Sequence, residues 1–244
     1  MLWATWIAYG LTALLALLGH GWTRRALGLA VALHLATATI RGVAIEYIPL
    51  TSKAETFLAT ALALAVVLLV HFDRARRYTL PMLLAIGAAL YTSARFDHGL
   101  GYPVPPLITI WYPLHVPLSF LSYGAWMASA AAGFAFLLGA EDPWIRKMDR
   151  LALQGFGLWS VSMIFGGIWG VVAWGAYFLW DPKVIWSVIL WLHYASYVHL
   201  KLTPSLVPRT RLRAALAVLG AIWVIVAFIG TSFFFGSSSH AFSG

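Results

Sequence analysis

The chain contains no cysteine. A disulfide scaffold, a zinc–thiolate site and an iron–sulfur cluster are therefore excluded as properties of this chain, and any thiol in its chemistry must be brought by a partner. Charge is nearly as scarce. Only 10% of the 244 residues are charged, 61% are apolar, and the mean hydropathy is +0.83. A soluble domain needs about a quarter of its residues charged to cover its surface. This composition does not suit water.

Apolar sequence is present in excess, and it falls into stretches of membrane-spanning length. A bilayer core takes roughly 20 apolar residues per helix. Eight such stretches occur, at about 2–19, 26–45, 55–71, 79–94, 113–139, 151–173, 184–201 and 213–235. The first lacks the basic leader and small-residue cleavage site of a signal peptide and reads as a retained helix. The net charge of +8 is distributed by side. Arg24, Arg25, Arg74, Arg76, Arg77, Arg146, Lys147, Arg150, Lys201, Arg209, Arg211 and Arg213 lie in alternate connections, which accounts for 12 of the 16 basic residues. Arg41, Lys53, Arg95 and Lys183 lie on the other side. The positive-inside rule makes the first set cytoplasmic and turns both termini outward. The basic balance thus sets orientation and does not call for nucleic acid as a partner. The expected fold is all-α, a polytopic integral membrane protein of about eight transmembrane helices. Residues 1–112 would form four helices and an outer loop rich in aromatics and proline. Residues 113–244 would form four more and a short outer tail.

The outer connection built around Trp169–Lys183, within the stretch Gly166–Lys183 (GGIWGVVAWGAYFLWDPK), is the most unusual segment. Trp169, Trp174, Tyr177, Phe178 and Trp180 have one reading as an interfacial aromatic belt. Asp181 and Pro182 likewise have a local reading, as the N-cap and first residue of the next helix. The other reading is a binding platform. A flat apolar macrocycle with anionic edges wants aromatic walls and N–H donors, which indole supplies. Lys183 and Arg95 are available to neutralise its carboxylates. Haem fits this description, as do other flat amphiphiles.

Trp174–Lys201, WGAYFLWDPKVIWSVILWLHYASYVHLK, resembles the tryptophan-rich "WWD" signature of the cytochrome c biogenesis family CcsA, whose pattern there is WGxYWxWDPKExW followed by a helix ending in YLH. The likeness extends to Pro113–Gly124 (PLHVPLSFLSYG) and to the terminal HAFSG, where the family has HSYG. It covers about residues 113–244 in order. Two positions depart from the pattern: Phe178 replaces a tryptophan, and Val184 stands where the family has Glu. The haem-delivery protein CcmC shares HVP and the WWD segment but typically lacks the DPK continuation.

Each histidine carries two readings. His115 begins the fifth span and His240 follows the last, so the topology puts both at the level of the Trp-rich loop. Taken singly, either is an ordinary interfacial residue. Taken together, two neutral imidazoles would make a six-coordinate haem, and the resemblance implies that these are the axial ligands of an outer haem. His199 lies 18 residues beyond Asp181, roughly 27 Å along a helix, so it cannot share that iron. The resemblance implies that it ligates a second, inner haem; the alternative is an interfacial histidine beside Lys201. The second ligand of that haem generally comes from a companion, CcsB, although His20 and His71 lie at the same level. His34 sits mid-membrane, where an ionisable group is functional by default. His98 and His193 read as structural.

The resemblance implies haem b as the bound group, held by Trp169, Trp174, Gly175, Tyr177, Trp180, Asp181, His115, His240 and His199. It implies a CcsB-like membrane partner, an apocytochrome c segment CxxCH as substrate, and a bacterial plasma membrane with the active face outside. The implied activity is that of a cytochrome c haem lyase component, with no catalytic nucleophile in this chain because substrate thiols and haem vinyls carry the bond-making. The rival readings are a haem carrier without synthase activity, an electron-carrying b-type cytochrome and a haem-independent transporter.

Overall fold

A computed structural model of the chain describes residues 2–139 and 142–230. Among these residues there are eight α-helices and no strand. They divide into two compact units, one holding the described residues up to Ile108 and the other those from Thr109 onward. The first unit contains α1 (Leu2–Leu17), α2 (Thr23–Ile45), α3 (Lys53–Val70) and α4 (Arg76–Ser93). The second contains α5 (Trp111–Gly139), α6 (Asp142–Trp174), α7 (Pro182–Leu202) and α8 (Thr210–Ile225), the last widening into a π-type turn at Val226–Gly230. Among the described residues, five helices are long and apolar enough to cross a membrane: α2, α3, α5, α6, and α8 with its π-type turn. Helix α1 is apolar but has 16 residues.

In the first unit, polar pairs hold hairpins together. Thr5 meets Thr37 at 3.3 Å, and the Tyr9 hydroxyl meets His34 Nδ1 at 3.3 Å between α1 and α2. The mid-helix histidine therefore has a buried hydrogen-bond partner. Helix α3 starts at Ser52, whose hydroxyl accepts from the Glu55 N–H, while Glu55 accepts from the Thr51 N–H at 2.9 Å. Such a cap satisfies backbone donors that the first turn leaves open. Buried Glu55 also pairs with Arg41 at 2.9 Å, and the same guanidinium donates to the carbonyls of His98 and Gly99. The Arg41 guanidinium thus ties the loop after α4 to α2, and its pairing with Glu55 adds α3 to the same contact. In that loop Pro105–Leu107 forms a short 3-10 turn, and the Leu107 carbonyl accepts from Tyr47.

The second unit runs up, down, up and down. Helices α5 and α6 are joined by a ladder of side-chain bonds: Ser119 to Ser162 (2.7 Å), Ser122 to the Gly155 carbonyl (2.8 Å), Trp126 to the Ala152 carbonyl (3.3 Å) and Ser129 to the Met148 carbonyl (2.9 Å). As numbers rise on one helix they fall on the other, so the pair is antiparallel. Helix α7 joins α6 through the Trp191 indole on Ser160 (3.0 Å) and the Trp159 indole on the Ser187 carbonyl (3.3 Å). Helix α8 packs on α5 with Phe228 against Phe120, ring centroids 5.6 Å apart. The end of α8 therefore lies at the end of the bundle where α5 begins.

Two sequence expectations are corrected. The sequence places Arg146, Lys147 and Arg150 in a connection, whereas they lie within α6, which starts nine residues before the expected span. At 1.5 Å per residue a helix of 33 residues is about 50 Å long and outruns an apolar core of about 30 Å. Its polar first turns therefore continue the helix past the span. Arg213, expected in a cytoplasmic connection, is 1% exposed inside α8. Its partner Asp149 explains the burial, as described below.

Trp126 tests the packing of this bundle. It stacks on Tyr194 at 3.9 Å, and a Cβ placed at Gly155 would lie 2.5 Å from its ring. Gly157, two residues on, has open space around it. Gly155→Ala should destabilise the protein by about 1–3 kcal/mol through overpacking, while Gly157→Ala should not, in equilibrium unfolding in detergent. Equal effects would contradict this packing.

Candidate functional site

Helix α6 ends in the segment singled out by sequence, and glycine lets three neighbours approach it. A Cβ on Gly166 would lie 2.7 Å from the His115 imidazole. One on Gly167 would lie 2.3 Å from the Tyr177 ring, and one on Gly170 would lie 2.8 Å from the Ala176 carbonyl. The loop after α6 thus folds back over the helix that precedes it. Gly175 makes this reversal: its φ is +74°, and its N–H donates to the Val171 carbonyl at 2.9 Å. A left-handed residue at a helix end is the position that favours glycine.

His115 lies half-buried near the start of α5. Its Nδ1 is 2.8 Å from the Ser162 carbonyl oxygen. A carbonyl only accepts, so the ring proton sits on Nδ1 and the basic lone pair on Nε2. The Ser162 hydroxyl donates to the His115 carbonyl at 2.9 Å and meets Ser119 at 2.7 Å. The imidazole is therefore oriented by the top rung of the α5–α6 ladder. Its ring centroid lies 5.9 Å from that of Trp169. A neutral imidazole with Nδ1–H bonded to a carbonyl is the form that ligates a metal through Nε2.

The aromatic residues divide into two sets. Trp169 is 2% exposed and packs on Tyr112 at 5.0 Å and Trp174 at 4.8 Å. It backs His115 and Trp174 rather than offering a face. Tyr177, Phe178 and Trp180 are exposed, Trp180 at 86%, and Phe178 meets Trp180 edge-on at 5.3 Å. Asp181 is buried and caps α7, its carboxylate accepting from the Lys183 N–H at 2.8 Å, with Pro182 in the first turn. The structure thus displays the capping geometry at this residue.

His199 is exposed in the last turn of α7, at the opposite end of that helix from Asp181. His193 bonds the Leu216 carbonyl at 2.9 Å in the helix interior. His20 and His71 lie in the first unit, in or beside the connections after α1 and α3. His20 Nδ1 accepts from the Trp22 N–H, and His71 follows α3 as its cap. His240 lies outside the described residues. The structure therefore brings together His115, Trp169, Trp174, Gly175 and Tyr177, with Trp180 and Asp181 closing the same loop, and holds His199 apart.

Sequence reading missed Ser162, Gly166 and Tyr112. Gly155, Ser162, Gly166 and Gly170 recur at spacings of seven and four, which marks one small-residue face of a membrane helix. That periodicity was available in the sequence.

The described residues are all-helical, with several helices of membrane-spanning character, and the second unit carries a histidine and an indole cluster at one end. The sequence model described as "Cytochrome C assembly protein" matches residues 1–237, and the chain belongs to that family. Among curated proteins it is similar to the cytochrome c biogenesis protein CcsA of Gloeobacter violaceus, at 26% identity over 225 residues, covering 64% of this chain and 65% of that protein. The CcsA of Prochlorococcus marinus (strain MIT 9312) is 30% identical over 175 residues, 57% of this chain and 56% of the relative. The CcsA of Synechococcus sp. (strain CC9902) is 36% identical over 105 residues, 41% and 34% respectively. The chain spans at most about two thirds of the length of these relatives. Among solved structures it resembles the cytochrome c heme lyase CcmF with a TM-score of 0.64 at 18% identity, over 94% of this chain and 47% of that one. This likeness establishes a shared fold.

Seating of His115 on α6 is open to test. Gly166→Ala drives a methyl group into the imidazole and should cost about 1–3 kcal/mol, and Ser162→Ala about 1 kcal/mol through its hydroxyl bonds. Unfolding midpoints of both variants equal to that of wild type would contradict the contact.

Proposed function

We propose that this chain binds haem b as substrate and presents it for attachment to an apocytochrome c, as part of a cytochrome c haem lyase in a bacterial plasma membrane. The observation that carries this reading is His115. Its proton is fixed on Nδ1 by the Ser162 carbonyl, and it sits beside Trp169 at the end of the bundle that bears the Trp-rich loop. Membership of the cytochrome c assembly family supports the same reading.

His115 Nε2 is one axial ligand in this scheme and His240 the other. Gly230, ten residues before His240 in the sequence, ends α8 at the same end of the bundle as His115. The bond from Nδ1–H to a carbonyl raises the basicity of the ligating nitrogen. Trp174, Tyr177 and Trp180 offer aromatic surface, Trp169 supports it from behind, Gly175 makes the reversal, and Asp181 fixes the start of α7. The active face lies outside, with eight spans and both termini outward. An apocytochrome CxxCH segment approaches that face. Each of its thiols adds S–H across a haem vinyl group, forming one C–S and one C–H bond with no net oxidation. The chain supplies orientation and axial ligation. His199, at the other end, ligates haem on the inner side, with a CcsB-like partner completing the complex.

His115→Gly or His240→Gly should lower haem retained by the purified protein, and added imidazole should restore part of it. Visible spectra measure both, and unchanged haem in both variants contradicts the ligand assignment. Co-expression with an apocytochrome c, with and without CcsB, separates a lyase component from a haem carrier, because only the former yields covalent haem.

A further inference from the structure

We propose that Asp149 is a positioning residue for His199, an inference that rests on the reading of His199 as a haem ligand. Asp149 lies in α6 at the end of the bundle remote from the Trp-rich loop and is 5% exposed. Three hydrogen bonds and an ion pair converge on its carboxylate: the Tyr197 hydroxyl donates at 2.7 Å and Arg213 donates from Nε at 3.1 Å and Nη2 at 3.3 Å, while Lys201 Nζ pairs with it at 3.4 Å. Arg213 also donates to the Val207 carbonyl in the link between α7 and α8. One carboxylate thus joins three helices.

The helical phase gives this cluster its consequence. Residues advance about 100° each around a helix, so Tyr197 and Lys201, four apart, share a face. His199 lies between them in sequence and therefore on the opposite face, where it is exposed. Two side chains of one turn grip the same acceptor, so α7 cannot roll without breaking both contacts. The roll that points Tyr197 and Lys201 inward is the roll that points His199 away from the α5–α8 core. Stability alone does not require such a cluster, because well-packed apolar residues often replace buried ion pairs at no loss. A directional acceptor does fix a register, which packing of apolar residues leaves looser.

The test uses the full chain in two backgrounds. In His115→Gly the remaining haem is the one held through His199, and in His199→Gly it is the outer one. Asp149→Asn should weaken haem retention about tenfold in the first background, the range expected when a ligand loses its orienting partners, and leave the second unchanged. Tyr197→Phe, which keeps the ion pairs and so protects folding, should act in the same direction and less. Asp149→Glu should recover part of the loss. Equal losses in both backgrounds would assign a purely structural role and overturn the proposal, as would no loss in either. A second readout does not depend on haem. The chain has no cysteine, so His199→Cys provides a single site for a spin label. Asp149→Asn and Tyr197→Phe should each increase label mobility or add a second spectral component; an unchanged spectrum overturns the proposal. If His199→Gly alone leaves haem content intact, the ligand reading fails, while the label still decides whether Asp149 sets the direction of residue 199.

Discussion

The α5–α6 contact is the interaction on which the rest of the second unit depends. Between helices in a bilayer, apolar surface gives little net drive to associate, because lipid is equally apolar. Association must come from close packing and from hydrogen bonds. Here Gly155 and Gly166 on α6 make room for Trp126 and His115, and Ser119, Ser122, Trp126 and Ser129 each reach a group on α6. The ladder continues to the imidazole of His115, whose Nδ1 meets the Ser162 carbonyl. The same packing that holds the hairpin together therefore sets the tautomer and direction of the candidate ligand. Structure and chemistry share one set of bonds.

The second unit separates its polar groups by end. Aromatic and imidazole groups gather where α5 begins, α6 and α8 end, and α7 starts. A buried carboxylate with three cationic or hydroxyl partners gathers at the other end, on the face of α7 opposite His199. Helix α7 connects the two, and its 21 residues amount to about 30 Å. No single porphyrin iron can be reached from both. The proposed function uses the first end for presentation of haem and the second for its entry.

Much of the helical plan was legible in hydropathy, because long apolar runs leave few other solutions. The start of α6 was not. DPWIRKMDR is too polar to score as a span, yet it continues the helix beyond the apolar core. Arg213 was misplaced for a related reason: a count of basic residues treats every arginine near a helix end as solvated, and only the fold brings Asp149, 64 positions earlier, against it. Within the site, Trp169, Trp174 and His115 stood out as residue types. Ser162 and Gly166 did not, since a serine and a glycine in an apolar helix carry no chemical signal singly. Their meaning lies in a face shared with Gly155 and Gly170, and in the partner helix that presses against it. Asp181 was legible twice over, as part of a tryptophan-rich motif and as a cap, and the structure displays the second property directly.

Cryo-electron microscopy of the haem-loaded protein tests the central claim most directly. The account predicts iron density bonded to Nε2 of His115 on one side and to His240 on the other, with the porphyrin lying over the Trp174–Trp180 loop. Absence of iron at His115, or a chain end emerging at the His199 end of the bundle, would contradict it.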